Sequence, residues 1–331
     1  MSQQVVEKSI MQIPAIDYRC HPAYGGIFQK PSLLMRYRAL RKVLSYLVKF
    51  GQHAVALRVS QMRHRMKHSL GNTELSARLG MLARDGIISF RVLPQDIDMM
   101  NAIVRPYVEM IDQKKTEIPL DERRFKDKIM FLPEEKIPEL YQIVSRVLDQ
   151  CSISLLASAY RGLPAQLGQI ALQVNDPSDP DWQNHFSDVQ VADPPTTYMH
   201  IDGTFYGVKC LLYLTDVGPA NGPFSYVAGS NRLNIGMWER LVRTVNDKTR
   251  LDRCDRANRE LFFALPRMLQ KKAEFGNDLN ENGKEIRALL ASEHAYHSQE
   301  ANLVLFDARG IHRGGMVREG KRHILQIMLA K

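Results

Sequence analysis

Cysteine is scarce. Cys20, Cys151, Cys210 and Cys254 are scattered over 331 residues without a CxxC pair, which gives neither a zinc ribbon nor a disulfide framework. No apolar run reaches the roughly 18 uninterrupted residues that a membrane helix needs. The opening MSQQVVEKSIMQIPAIDY carries Glu7 and lacks the apolar stretch of a secretory signal. The expected address is therefore the cytoplasm, with thiols reduced and mostly buried. Internal repeats and low-complexity tracts are also missing. At 44% hydrophobic and 24% charged residues, the composition excludes wholesale disorder and collagen-like sequence, and the length suits one large or two fused domains.

Acid is the most informative absence. Between Asp17 and Glu74 there is no Asp or Glu, while eleven Lys and Arg residues fall there, from Arg19 to Lys67. The chain carries a formal +9, so the remainder sums to a net −2. In the same stretch Leu33, Tyr37, Leu40, Leu44 and Leu47 recur at helical spacing, and Val55, Val59, Met62 and Met66 resume the pattern after Gly51. Two amphipathic helices, or one broken near Gly51, are expected. Arg38, Lys42 and Lys49 fall opposite the leucine stripe. Two readings stand open: a helical appendage packed on the rest of the chain with its basic face in water, or peripheral association of residues 31–70 with an anionic membrane surface or another anionic partner. Nucleic acid is disfavoured, because no recognition motif accompanies the charges.

Beyond residue 76 the chain changes character. IISFRVL predicts a strand, Pro94 opens a helix through QDIDMMNAIVRPYVEMI, and IPELYQIVSRVLDQ predicts another that ends before Cys151. A polar segment rich in Lys, Asp and Glu separates the two helices. From Ile170 the period switches to two: IALQVN, YGVKCLLYLTDV, FSYVAGS, NLVLFDA and HILQIMLA are short strands between turn residues. Residues 231–296 interrupt them with a charged, helical pattern. The expectation is a mainly β chain with helices (α+β): a double-stranded β-helix, or jelly roll, over 77–331, preceded by a basic helical extension over 1–76 and carrying a helical insert at 231–296. That insert is expected to fold over the mouth of the site.

Most of the ten histidines have no neighbour that would make them useful. His200 and Asp202, two apart in YMHIDGTFYG, leave one face of a strand together. His312 follows about 110 residues later, where LVLFDARGIHRGG runs from a strand into a glycine-rich turn. Two imidazoles and one carboxylate make the facial triad of non-haem Fe(II) oxygenases. Arg322, on the next expected strand, offers a bidentate grip on a carboxylate that lysine matches poorly.

With these elements the chain resembles the phytanoyl-CoA dioxygenase family of Fe(II)/2-oxoglutarate oxygenases. The resemblance runs over roughly 80–331, through RDGIISFRVLPQDI, MHIDGTFYG, LYLTDVGPANGPFSYVAGSNR and LVLFDARGIHRGG. It departs from the family at Ala228 and Asn231, where proline and histidine are usual, and at Gly314 and Ile324, near the expected co-substrate. The resemblance implies that His200, Asp202 and His312 hold Fe(II), that 2-oxoglutarate chelates the iron with its far carboxylate on Arg322, and that O₂ takes the remaining position. The implied reaction hydroxylates, or otherwise oxidises, a C–H bond of a small organic substrate with release of succinate and CO₂. Asp202 favours hydroxylation over halogenation. Tyr198 and Gln173 are further candidates for co-substrate contact, Arg313 and Arg318 for an anionic substrate, and the loop around Trp182 for substrate recognition. His323 is expected on the opposite face from Arg322 and so outside the ligand set; His294 and His297 receive no role. The alternative is an inactive jelly-roll binding or scaffold protein recruited through the basic helices. Neither the substrate nor the oligomeric state is legible at this level.

Overall fold

Alternating apolar residues give strands two unlike faces, and both faces of this protein's larger sheet are covered. The computed structural model describes residues 32–65, 73–119, 122–123, 125–178, 207–232, 264–266 and 291–330. These fall into two compact units: 32–49, 264–266 and 291–293 belong to one, and the other described residues to the second. Helix α1 (Leu33–Arg65) runs through both. Four more helices follow among the described residues, α2 (Thr73–Asp85), α3 (Pro94–Glu117), α4 (Pro138–Gln150) and α5 (Ile153–Arg161). The strands are β1 (Ile87–Phe90), β2 (Ile129–Leu132), β3 (Gln166–Asn175), β4 (Val208–Tyr213), β5 (Phe224–Val227), β6 (Glu293–Tyr296), β7 (Leu303–Asp307), β8 (His312–Gly314) and β9 (Arg322–Ala330).

Six strands form one sheet in the order β1-β7-β4-β9-β3-β2, and three form another in the order β6-β5-β8. The pairings within the large sheet are antiparallel throughout. From β4 onward the chain steps between sheets, β4 in the large one, β5 and β6 in the small, β7 back, β8 across and β9 back again. That alternation is the path of a double-stranded β-helix, with helices joined to it as an α+β fold. One face of the large sheet, with Ile170, Leu172, Val174, Cys210, Leu212, Leu303, Leu305, Leu325 and Ile327, packs in a single core with buried residues of α2 to α5. Its other face, with Ile87, Leu211, Tyr213, Val304, Phe306 and Ile324, meets Phe224 and Tyr226 of the small sheet.

Several local choices explain the elements. Pro94 and Pro138 stand in the first turn of α3 and α4, where a missing N–H costs nothing. α4 buries Leu140, Ile143, Val144, Val147 and Leu148 on one face, and Tyr141 adds a hydroxyl that donates to the Leu132 carbonyl at 2.8 Å. Gly162, at φ 65°, ends α5 in the left-handed conformation that glycine adopts without strain.

The structure departs from the sequence reading in five places, one of them β6, a strand at the end of the 231–296 segment that was expected to be helical. α1 is continuous through Gly51; one glycine costs about 1 kcal/mol, which a long helix absorbs. The polar segment before Glu135 contains β2, a four-residue strand paired with β3. α5 was not expected, its nine residues being too few to show a period. His312 begins a strand of its own in the small sheet, where a turn was expected. Cys151 and Cys210 are free thiols, partly and fully buried; Cys20 and Cys254 lie outside the described residues. So does nearly all of the 231–296 insert. Among the described residues no helix is long and apolar enough to cross a membrane.

Candidate functional site

β9 carries the first residue of the site at its start. Arg322 sits in register with Asn175 at the end of β3, and Ile324 with Gln173, so these four side chains share the face toward the small sheet. Arg322 is buried at 5% exposure, with Nη1 donating to the Gly315 carbonyl at 3.1 Å and Nη2 to Asn175 Oδ1 at 3.1 Å. Because a guanidinium only donates, the atom it meets on Asn175 is fixed as the oxygen. That oxygen also accepts from Gln173 Nε2 at 2.8 Å, and Gln173 Oε1 in turn accepts from Gln326 Nε2 at 2.5 Å. A file of amides along the sheet face thereby leads to the arginine. Gln173 thus reaches Arg322 through Asn175.

β8 supplies the opposite wall. His312 is buried, and its Nδ1 lies 2.8 Å from the Gly310 carbonyl. A carbonyl can only accept, so Nδ1 carries the proton and the lone pair of the neutral ring is on Nε2, the arrangement that suits a metal-binding imidazole. Three aromatic rings surround it: Phe306 at 5.0 Å, Phe224 at 5.7 Å and Tyr226 at 6.3 Å between centroids. Two residues along the same strand, Gly314 places nothing over the guanidinium; a Cβ there would lie 3.5 Å from Arg322 Nη2. The histidine strand and the arginine strand therefore meet at one place.

The turn between β7 and β8 is braced from beneath. Asp307, nearly inaccessible, accepts from Tyr160 Oη at 2.6 Å and from Arg309 through its backbone N–H and Nε at 2.9 Å each. Burial works against the charge on Arg309, but Asp307 outweighs it and holds the guanidinium pKa above its ordinary value. Asn231 donates to Tyr160 Oη at 3.0 Å, and Tyr226 Oη donates to the Asp307 carbonyl at 3.0 Å. Burial, then the nearby Asp307, pushes the Tyr160 phenol up to about 12, so it acts as a neutral donor. Gly310 packs so closely beneath Tyr226 that a Cβ would overlap the phenol. The Asn221-Gly222-Pro223 turn clasps the chain beyond β8, with Asn221 Nδ2 donating to the Glu319 carbonyl at 2.8 Å and Gly222, at φ +68°, against the Gly315 backbone.

Of the residues singled out in the sequence, His312, Arg322 and Gln173 are described and lie on the inner faces of the two sheets. His200, Asp202, Tyr198 and Trp182 lie outside the described residues. Among the described residues no three His, Cys, Asp or Glu side chains gather as a metal set. Arg313 is half-buried and Arg318 exposed. His323 follows Arg322 on a strand and so faces the helix side, as expected. Asn175, Tyr226, Asp307 and Tyr213 were not foreseen. Tyr213 accepts the Phe224 N–H at 2.8 Å and donates to the Tyr296 carbonyl at 2.9 Å; burial pushes its phenol up to about 12 although Arg322 acts the other way. Asn175 had a signal, being the third polar residue, after Gln169 and Gln173, on one face of β3.

No protein-family model matches the chain, and no curated protein does. Among solved structures it is similar to SnoK, a non-haem alpha-ketoglutarate-dependent carbocyclase from nogalamycin biosynthesis, at 15% identity and a TM-score of 0.43 over 78% of this chain and 83% of that one. EctD from S. alaskensis, with bound Fe, aligns at 11% identity and a TM-score of 0.44 over 80% of this chain and 79% of its own. EvdMO1 aligns at 14% identity and a TM-score of 0.42 over 78% of this chain, which spans half of EvdMO1's length (50%).

Proposed function

We propose that this chain is an Fe(II)- and 2-oxoglutarate-dependent dioxygenase that oxidises a C–H bond of a small organic substrate. The observation that carries the reading is the meeting of β8 and β9: β8 starts with a buried imidazole whose Nδ1 donates to the Gly310 carbonyl, and two residues on brings a bare glycine over the buried guanidinium that starts β9. His200 and Asp202, with the spacing of a strand pair, would complete the iron set with His312. Bound there with 2-oxoglutarate, the iron would supply O₂ activation coupled to decarboxylation of the co-substrate, releasing succinate and CO₂.

The chain's own residues have plainer tasks. Arg322 binds the far carboxylate of 2-oxoglutarate through its fork of donors, and Asn175 keeps that fork in plane. Gln173 orients Asn175 from behind. Gly310 fixes the tautomer of His312, and the rings of Phe224, Tyr226 and Phe306 shield the imidazole from water and limit its rotation. Tyr198, two residues before His200, would reach a co-substrate oxygen from the same face.

The test is an anaerobic visible spectrum. Fe(II) and 2-oxoglutarate together should raise a weak metal-to-ligand band that neither gives alone, and air should then yield succinate. A flat spectrum with both present would leave an inactive jelly-roll scaffold as the better account.

A further inference from the structure

Helix α1 plays no part in that chemistry, yet it is the most polarised element of the chain. Its 33 residues include eight Lys and Arg and no Asp or Glu. Exposed apolar side chains run along its first half: Leu33, Tyr37, Leu40, Leu44 and Val48, from 40% exposed at Leu40 to 85% at Leu33. At 3.6 residues per turn these five lie within an arc of about 80° and form a stripe about 23 Å long. The residues that α1 does bury, Ala39 and Val43, sit about 120° around the helix from the centre of that stripe. Among its described side chains the helix therefore has two apolar faces, of which the one with Ala39 and Val43 is covered and the other exposed.

Charge decides what fits the other. Arg38 and Arg41, both exposed, flank the stripe on one side and Arg36, also exposed, on the other. A second copy of the same face would set cation against cation, which disfavours self-association. A plane that is apolar below and anionic at its surface meets both requirements at once: aliphatic side chains enter the acyl boundary while arginines reach head groups on either flank. We infer that α1 is a docking surface for an anionic lipid bilayer, on which the helix lies along the interface. Since no described helix can span a membrane, attachment is peripheral and salt-sensitive.

The experiment is sedimentation of the full chain with vesicles of phosphatidylcholine, with and without phosphatidylglycerol, at low and high salt. Pelleting is expected only with the anionic vesicles, and should weaken as salt screens the charges. Arg38→Gln with Arg41→Gln should lower vesicle affinity by about fivefold per arginine. Leu44→Glu with Val48→Glu should abolish pelleting; both sites are exposed, so its thermal midpoint should match that of the unaltered chain. Should that variant melt early, the lipid and salt series of the unaltered chain and the arginine variant still decide. No pelleting at low salt, equal pelleting on neutral lipid, or capture by a soluble acidic protein in place of vesicles overturns the inference, as does normal pelleting of a well-folded Leu44→Glu/Val48→Glu chain.

Discussion

The imidazole of His312 and the phenol of Tyr226 lie 10° from parallel with centroids 6.3 Å apart. Tyr226 is fully buried, and its hydroxyl is tied to the Asp307 carbonyl at the head of the turn that presents His312. One side chain thus steadies both the ring and the loop beneath it.

Tyr226→Phe keeps the ring and loses the hydroxyl's bond, which should cost about 1 kcal/mol of stability. Tyr226→Ala should cost about 3–5 kcal/mol, and the loosened imidazole should weaken Fe(II) binding by roughly tenfold or more. Urea unfolding and an anaerobic metal titration read the two effects separately. Equal iron affinity in a folded Tyr226→Ala chain would remove Tyr226 from the support of the site.

Two glycines of the same segment should respond oppositely. Gly310→Ala drives a methyl into the Tyr226 phenol and should destabilise by about 1–3 kcal/mol. Gly314→Ala places its methyl 3.5 Å from Arg322 Nη2, an ordinary contact, and should leave stability within about 0.5 kcal/mol of the unaltered chain. Parallel denaturant melts compare them, and matched losses would contradict the packing described around Tyr226.

Arg322→Ala should lower the apparent affinity for 2-oxoglutarate by the equivalent of about 2–5 kcal/mol while Fe(II) still binds. Asn175→Asp should also weaken the co-substrate, because a carboxylate 3.1 Å from Nη2 occupies the cation that the co-substrate needs. Calorimetric titration of 2-oxoglutarate against the Fe(II)-loaded chain measures both. Unchanged binding in Asn175→Asp would place the carboxylate anchor elsewhere, with Arg313 or Arg318 the next candidates.

Burial lowers the pKa of His323 below its ordinary value; Asp112 raises it, and Lys321 and Lys115 lower it further. Its Nε2 is buried without a hydrogen bond. The unfolded chain therefore binds a proton more readily than the folded one. The neutral ring's contribution is complete above the unfolded pKa of about 6.5 and is lost as pH falls through that value toward the folded pKa. The melting temperature should drop on acidification from about pH 7.5 to about pH 5.5, and His323→Gln should flatten that drop. A profile identical in the two chains would contradict it.

β4, β5 and β7 were legible as short apolar runs, being buried on both faces, and β3 and β9 by the polar residues that interrupt theirs, Gln173 and Asn175 in one and Gln326 in the other. β2 and β6 were invisible, being short strands held by their neighbours. His312 and Arg322 were legible as residue types at a spacing. Asp307 and Tyr226 were not, since their work depends on carbonyls and a tight approach at Gly310 that no side-chain pattern records. α1 was legible as a helix, but the choice between packing and exposure of its stripe belongs to tertiary structure.

β9 is the last in chain order of the nine strands among the described residues, yet it lies between β4 and β3 in the middle of the large sheet. As the chain leaves the ribosome, β3 and β4 must wait through more than a hundred residues with the edges that will face each other still unpaired. Such edges invite pairing with other chains. Insertion of β9 closes that gap and brings Arg322 to Asn175 in the same event, so closing the sheet and forming that bond are one step. A nascent chain halted before Lys321 would lack both the central seam of its sheet and the arginine proposed to hold the co-substrate.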